Sequence, residues 1–189
     1  MALPTTMTFR GTDHIEASKI NDRDSYELVG EPCDLPAVQG LDVELEIDEG
    51  ELYGDEEKKD VYAKIIGMKG SATFGQLDLK AHALVTGGSY SESGEVGSRQ
   101  SKVTIGNTYP PYLHWRFVSR YQGGEDAGSD GLYEIIFYKA KLTSASISIQ
   151  SQSYSENPYA FSGIAPKNLP AGEDERVIGI IRKLESSDE

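Results

Sequence analysis

Cysteine is almost absent: Cys33 stands alone in 189 residues. One thiol makes no intrachain disulfide and fits synthesis in a reducing compartment; with no activating base beside it, Cys33 reads as a small structural residue. Long apolar runs are missing too. No stretch reaches the roughly 20 residues that span a bilayer, so a soluble chain with no membrane partner is expected. The opening, MALPTTMTFRGTDHIEAS, lacks the basic start and apolar core of a secretion signal. Histidine is scarce: His14, His82 and His114 are far apart, and none has a Cys or His at metal-ligand spacing. Each reads as structural, His82 as a surface partner of Asp78, and neither metal nor cofactor is expected. No phosphate loop, dinucleotide fingerprint or nucleophile elbow occurs. Positive charge is short as well, with 18 basic residues against 31 acidic and a net charge of -13. That excludes gripping the outside of nucleic acid, which needs cations to replace phosphate counterions. It suits a surface past which nucleic acid slides.

What is present is β patterning. In LDVELEID, residues 41–48, Leu41, Val43, Leu45 and Ile47 alternate with Asp42, Glu44, Glu46 and Asp48. A strand sends successive side chains to opposite faces, giving one oily face and one of four carboxylates. EGELYGDEEKKD, 49–60, is too polar for core, and VYAKIIGMKGSATF, 61–74, resumes the β pattern. A short helix is expected over about 75–86, from the capping-box spacing of Thr73 and Gln76 and the stop at Gly87-Gly88. A Ser/Gly/Glu loop over 90–97 and a strand over 98–106 follow. In 112–121, Trp115 and Phe117 share a face and read as core; 122–131 is a hairpin loop by composition. The run 132–154 alternates in its second half, with Ala145, Ile147 and Ile149 opposite Ser144, Ser146, Ser148 and Gln150. A last strand is expected over 176–184. The expected layout is an N-terminal arm or lead-in over 1–34, one β-rich domain over 35–184 and a disordered tail over 185–189. The expected fold is mainly β, an antiparallel sandwich or barrel-like domain with one short helix and extended arms or loops.

Catalysis finds little support. DEGELYGDEE, 48–57, lacks the residue order of an EF-hand loop. A catalytic carboxyl pair needs one member held neutral in an apolar pocket, whereas these acids lie in solvated charge runs. No enzyme activity is expected.

Three pieces together resemble the major tail protein, or tail tube protein, of long non-contractile-tailed bacteriophages. LPAVQGLDVELEIDEGELYGDEEKKDVYAKI, 35–65, is similar to that family's Leu-Pro lead-in, alternating strand, "ELxGDD"-like turn and second strand. Here Tyr53 stands where a small basic residue is expected. TFGQLDLKAHALVTGGSYSESG, 73–94, resembles the family's short helix ending in Leu-x-Thr-Gly-Gly. In 112–154 an aromatic strand and a Ser-rich strand precede a Pro/Gly-rich exit.

The resemblance implies a tail tube fold that self-assembles into stacked rings, six-membered in the family, forming a conduit for genome delivery. Implied partners are other copies of the chain, the tape measure, terminator and distal tail proteins, and double-stranded DNA passing without specific binding. The implied location is the virion, after synthesis in the host cytoplasm. Candidate lumen-lining residues are Asp42, Glu44, Glu46, Asp48, Ser144, Ser146, Ser148 and Gln150. The alternatives are an outer sheet face kept soluble by charge for the carboxylate row and an edge or solvent-facing strand for the Ser row. The candidate inter-ring contact loop is Glu51, Tyr53, Asp55, Glu56, Glu57, Lys58 and Lys59, expected to order only on stacking. The alternative is a β-sandwich binding module, such as a head-tail connector or a receptor- or glycan-binding tail protein.

Overall fold

The computed structural model describes residues 9–21, 24–35, 37–54, 57–95, 97–107, 109–121, 131–148, 156–168 and 177–185. Alternation between polar and apolar residues produces strands almost throughout: β1 (Phe9–Asn21), β2 (Glu27–Leu35), β3 (Val38–Gly54), β4 (Glu57–Phe74), β5 (Ser89–Ser93), β6 (Gln100–Thr104), β7 (Leu113–Tyr121), β8 (Gly131–Ala145), β9 (Asn157–Gly163) and β10 (Gly179–Glu185), with one helix, α1 (Leu79–Thr86). Eight strands make one antiparallel sheet in the order β2-β1-β7-β8-β9-β4-β3, with β10 also paired to β8; β5 and β6 form a separate hairpin. Among the described residues the sheet does not close into a barrel. It folds over so that β1 comes against β3, and the apolar face is enclosed as in a sandwich.

The core follows the period of two. On β7, Leu113, Trp115 and Phe117 point inward and are buried, as their spacing predicts. Phe161 of β9 packs among Trp115 (stacked, centroids 5.0 Å apart), Phe117 (5.4 Å) and Phe137 of β8 (edge-on, 5.0 Å). Such aromatic pairs each contribute about 0.5–1.5 kcal/mol beyond burial. Gly70 of β4 lies opposite Phe161, and a Cβ there would fall 2.3 Å from its ring. The missing side chain makes room for the aromatic cluster.

Several expectations are corrected. Residues 9–21 and 27–34, expected as part of an arm or lead-in, are sheet strand, and Ile15 and Ala17 join the core beside Leu35 of the expected domain. The helix starts at Leu79, not at about 75; Asp78 is its N-cap, accepting from the Ala81 N–H at 2.7 Å, while Thr73 stays in β4. Gly87, left-handed at φ 76°, ends it. Part of the loop expected over 90–97 is strand β5. His82 is no surface partner of Asp78: it is buried, its Nδ1 2.6 Å from the Tyr159 hydroxyl, and burial lowers its pKa. The Ser-rich strand ends at Ala145, and Ile147 is half-exposed. The expected loop over 122–131 lies outside the described residues except for Gly131, which opens β8, and 186–189 of the expected tail lie outside them too.

Candidate functional site

Strand β3 carries the carboxylate row, and its partners decide what that row is. Pairing with β4 puts Asp42 opposite Ser71, Glu44 opposite Lys69, Glu46 opposite Gly67 and Asp48 opposite Lys64. Directly paired residues share a face, so two lysines stand among the four acids. Lys69 Nζ lies 3.1 Å from Glu46 Oε1, an exposed pair. Asp42, Glu44 and Asp48 are exposed and Glu46 is half-buried. The face stays net acidic but not purely so.

The same face runs on through β9 into β8. Ser71 pairs with Ala160, and Ala160 with Ser144, so one row across the sheet reads Asp42, Ser71, Ala160, Ser144. The next reads Glu44, Lys69, Ser162, Lys141. The carboxylate row and the start of the Ser row therefore share one surface. It holds an open groove of about 700 Å³ bordered by Asp42, Glu44, Lys69, Ser71, Thr143 and Ser162. Ser146 and Ser148 lie past the strand end: the Ser146 N–H donates to the Pro158 carbonyl at 3.1 Å, and the Ser148 N–H to Asn157 Oδ1 at 3.4 Å. They do not extend the row, and Gln150 lies outside the described residues. Lys64, Lys69, Ser71, Lys141 and Ser162 are the members that sequence reasoning misses and only strand register reveals, and Thr143 joins them at the irregularity between Leu142 and Ser144.

This four-stranded surface has open edges. β3 ends the sheet. β7 pairs with β8 only as far as Ala140, so among the described residues 141–145 have β9 on one side and no strand on the other. One edge is acidic, through Asp42, Glu44 and Glu46. The other carries Lys141, whose Nζ lies 5.4 Å from the Tyr112 ring centroid.

The segment 49–60, expected as a loop, is instead the end of a long hairpin. Glu51 pairs with Val61, Tyr53 with Lys58 and Gly54 with Glu57; Asp55 and Glu56 lie outside the described residues. The side chains of Tyr53, Glu57, Lys58 and Lys59 also lie outside them, and Glu51 is exposed. Within one subunit the described part of this stretch is a paired ladder. The hairpin outruns β9, which stops pairing with β4 at Met68. Beyond that point the apolar face loses its cover, and Leu45, Ile47 and Ile65 are about half exposed (49%, 47% and 51%).

A second charged cluster lies on the outer face of β1, β7, β8 and β10. Glu134 is fully buried, with its carboxylate accepting from Arg116 Nε and Arg182 Nε. Arg116 Nη1 also donates to Glu16 Oε2 at 3.0 Å. Burial alone would raise the Glu134 pKa, but the hydrogen bonds from Arg182 and Arg116 hold it below the usual carboxylate range. Both ends of each pair are occupied, which marks a structural network rather than a site awaiting a ligand. Nearby, burial pushes the His114 imidazole down to about 4. Tyr26 donates its hydroxyl to the Tyr138 carbonyl (2.8 Å) and lies 2.7 Å from His114 Nδ1. The Cys33 thiol is raised by burial and then by the Asp78 charge, the opposite of nucleophile activation.

No known family model matches the chain, and a search of curated proteins finds no significant relative.

Proposed function

We propose that the chain is a structural subunit that assembles with copies of itself into stacked rings, forming a tube whose lumen is the acidic face of β3, β4, β9 and β8. In this reading it is a phage tail tube protein, it conducts the genome without gripping it, and it has no catalytic turnover. The observation that carries the reading is one continuous polar face bounded, among the described residues, by an unpaired strand edge on each side.

Unpaired edges are templates for strand addition, and only closure removes them. Joining the β3 edge of one copy to the β8 edge of the next is a heterologous contact, which closes into a ring when the rotation allows. Charge supports that polarity: Glu44 and its neighbours line one edge and Lys141 the other. The lining would be acids, serines and a few lysines already facing acids, a surface on which DNA finds little to hold. The uncovered Leu45, Ile47 and Ile65 on the protruding hairpin give a second contact, suited to an adjoining copy in the same or the next ring. The tape measure, terminator and distal tail proteins would then meet the tube at its bore and ends.

Negative-stain microscopy of the purified chain over a concentration series tests the reading. Rings or hollow tubes with a continuous wall are expected. A chain that stays monomeric at high concentration, with or without a nucleating partner, overturns it in favour of a monomeric binding module.

A further inference from the structure

Strand β1 places His14 and Glu16 two residues apart, so both side chains stand on the outer face. Glu16 is the register partner of Asp34 on β2, which brings a third donor onto that face from the end strand of the sheet. One ligand atom from each of His14, Glu16 and Asp34 lies within 4.8 Å of the other two. His14 Nε2 is 3.0 Å from Glu16 Oε1. Two ligands bound to zinc at about 2.0–2.1 Å each lie roughly 2.8–3.4 Å apart for angles from 90° to tetrahedral. The observed spacing falls in that interval.

The surroundings suit an ion. Arg116 takes the other oxygen of Glu16, Oε2, at 3.0 Å, which fixes the plane of the carboxylate and leaves Oε1 turned to the imidazole. This is the orienting role that outer-shell partners play in metal sites. The Arg116 charge is itself met by buried Glu134, which also pairs with Arg182. With two arginines against Glu16, Glu134 and Asp34, the cluster is net negative and attracts a dication. His14 is also the histidine whose ring partner is a carboxylate: His82 is buried against Tyr159, and His114 is engaged by Tyr26. The Cys33 side chain lies on the opposite face, its backbone paired with core residue Ala17.

We propose that His14, Glu16 and Asp34 bind one divalent transition-metal ion of the zinc class, clipping end strand β2 to β1 with water completing the coordination. An imidazole with two carboxylates favours zinc, cobalt or manganese over calcium and magnesium, which take oxygen donors. The clip sits on the Ile15–Ala17 side of the register shift between Ala17 and Lys19, where the β1–β2 ladder is otherwise interrupted. It is independent of whether the chain forms tubes. Sequence spacing of Cys and His alone does not reveal it, because two of its three donors are carboxylates and one arrives through strand pairing.

The test is isothermal titration of untagged protein with zinc chloride at about 150 mM salt, where loose attraction to an acidic surface is screened, in excess magnesium. Wild type is expected to bind one zinc per chain and to unfold at a higher denaturant concentration when loaded. His14→Ala and Asp34→Asn should each bind at least about 10-fold more weakly, the lower end of what losing even an outer-shell partner costs. Both should lose the zinc-dependent gain in stability, while Cys33→Ser keeps it. No saturable binding, equal affinity in both variants, or loss of binding in Cys33→Ser overturns the proposal.

Discussion

The molecule holds carboxylates in two ways, and the contrast separates what folds the chain from what it presents outward. On β8, Glu134 is sealed beneath two arginines with both oxygens occupied. On β3, Asp42, Glu44 and Asp48 stand in solvent, and Glu46 meets a long, flexible lysine in an exposed pair. The first arrangement binds four strands of one subunit together. An exposed pair of the second kind contributes about 0–1 kcal/mol, so stability within the subunit does not explain that row. In the proposed tube, its acids would serve what passes over them or docks beside them.

The largest effect should come from breaking the sealed cluster. Glu134→Ala strands two guanidinium groups on the outer face, and removal of one partner from a buried pair costs about 3–5 kcal/mol. Because Arg116 and Arg182 reach solvent, the lower end is expected from urea unfolding. A cost below about 1 kcal/mol would mean that the cluster is no better than a surface pair. Acid should act on the same residues. The folded pKa of Glu134 lies below its unfolded value, so its contribution is complete above about 4.5 and falls away as pH drops through the folded value.

His114 gives the next effect, in a different pH window. Its folded pKa of about 4 lies below the unfolded value near 6.5. The unfolded chain therefore takes up a proton first, and stability falls as pH drops from 6.5 to 4. At 1.36 kcal/mol per unit, and allowing for the part of the ring that reaches solvent, the decrease is about 2–3 kcal/mol. His114→Phe should lower stability at neutral pH, because the Tyr26 hydroxyl no longer has the imidazole nitrogen beside it. The slope between pH 6.5 and 4 should nevertheless flatten in that variant. An unchanged slope would assign the titration elsewhere.

Sequence reading reaches the open face better than the sealed one, for physical reasons. A period of two is local, so 41–48 declares its two faces at once, and Trp115 and Phe117 declare theirs. Opposite charges supplied by another strand are not local. Lys69 meets Glu46 across 23 residues, after a shift in register at Glu46/Ile47. The Glu16–Arg116 pair spans 100 residues. Polarity misleads in two places. The hairpin end 49–60 is too charged to be core, yet backbone pairing needs no apolar side chains. The first 34 residues are polar on average, although His14, Ile15, Glu16 and Ala17 alternate, and that local signal is readable without the structure.

The smallest effect on the subunit should be the most informative about the open face. Glu44 and Lys141 stand near opposite edges of the four-stranded surface, on one row through Lys69 and Ser162. Within one chain neither supports the core, so Glu44→Lys and Lys141→Glu should each leave stability within about 0.5 kcal/mol, as surface substitutions usually do. Between copies the consequence differs. If the β3 edge of one subunit adds to the β8 edge of the next, each reversal sets like charges side by side, and such juxtapositions cost several kcal/mol at an interface. Each single variant should therefore remain folded but assemble poorly in light scattering and microscopy, and the double variant should assemble again because the attraction is restored with its sign exchanged. Recovery in the double variant cannot come from a general change in net charge, since Glu44→Lys and Lys141→Glu together leave that charge where it began. Undiminished assembly in both single variants would move the contact away from these edges and leave the open acids facing only what passes by.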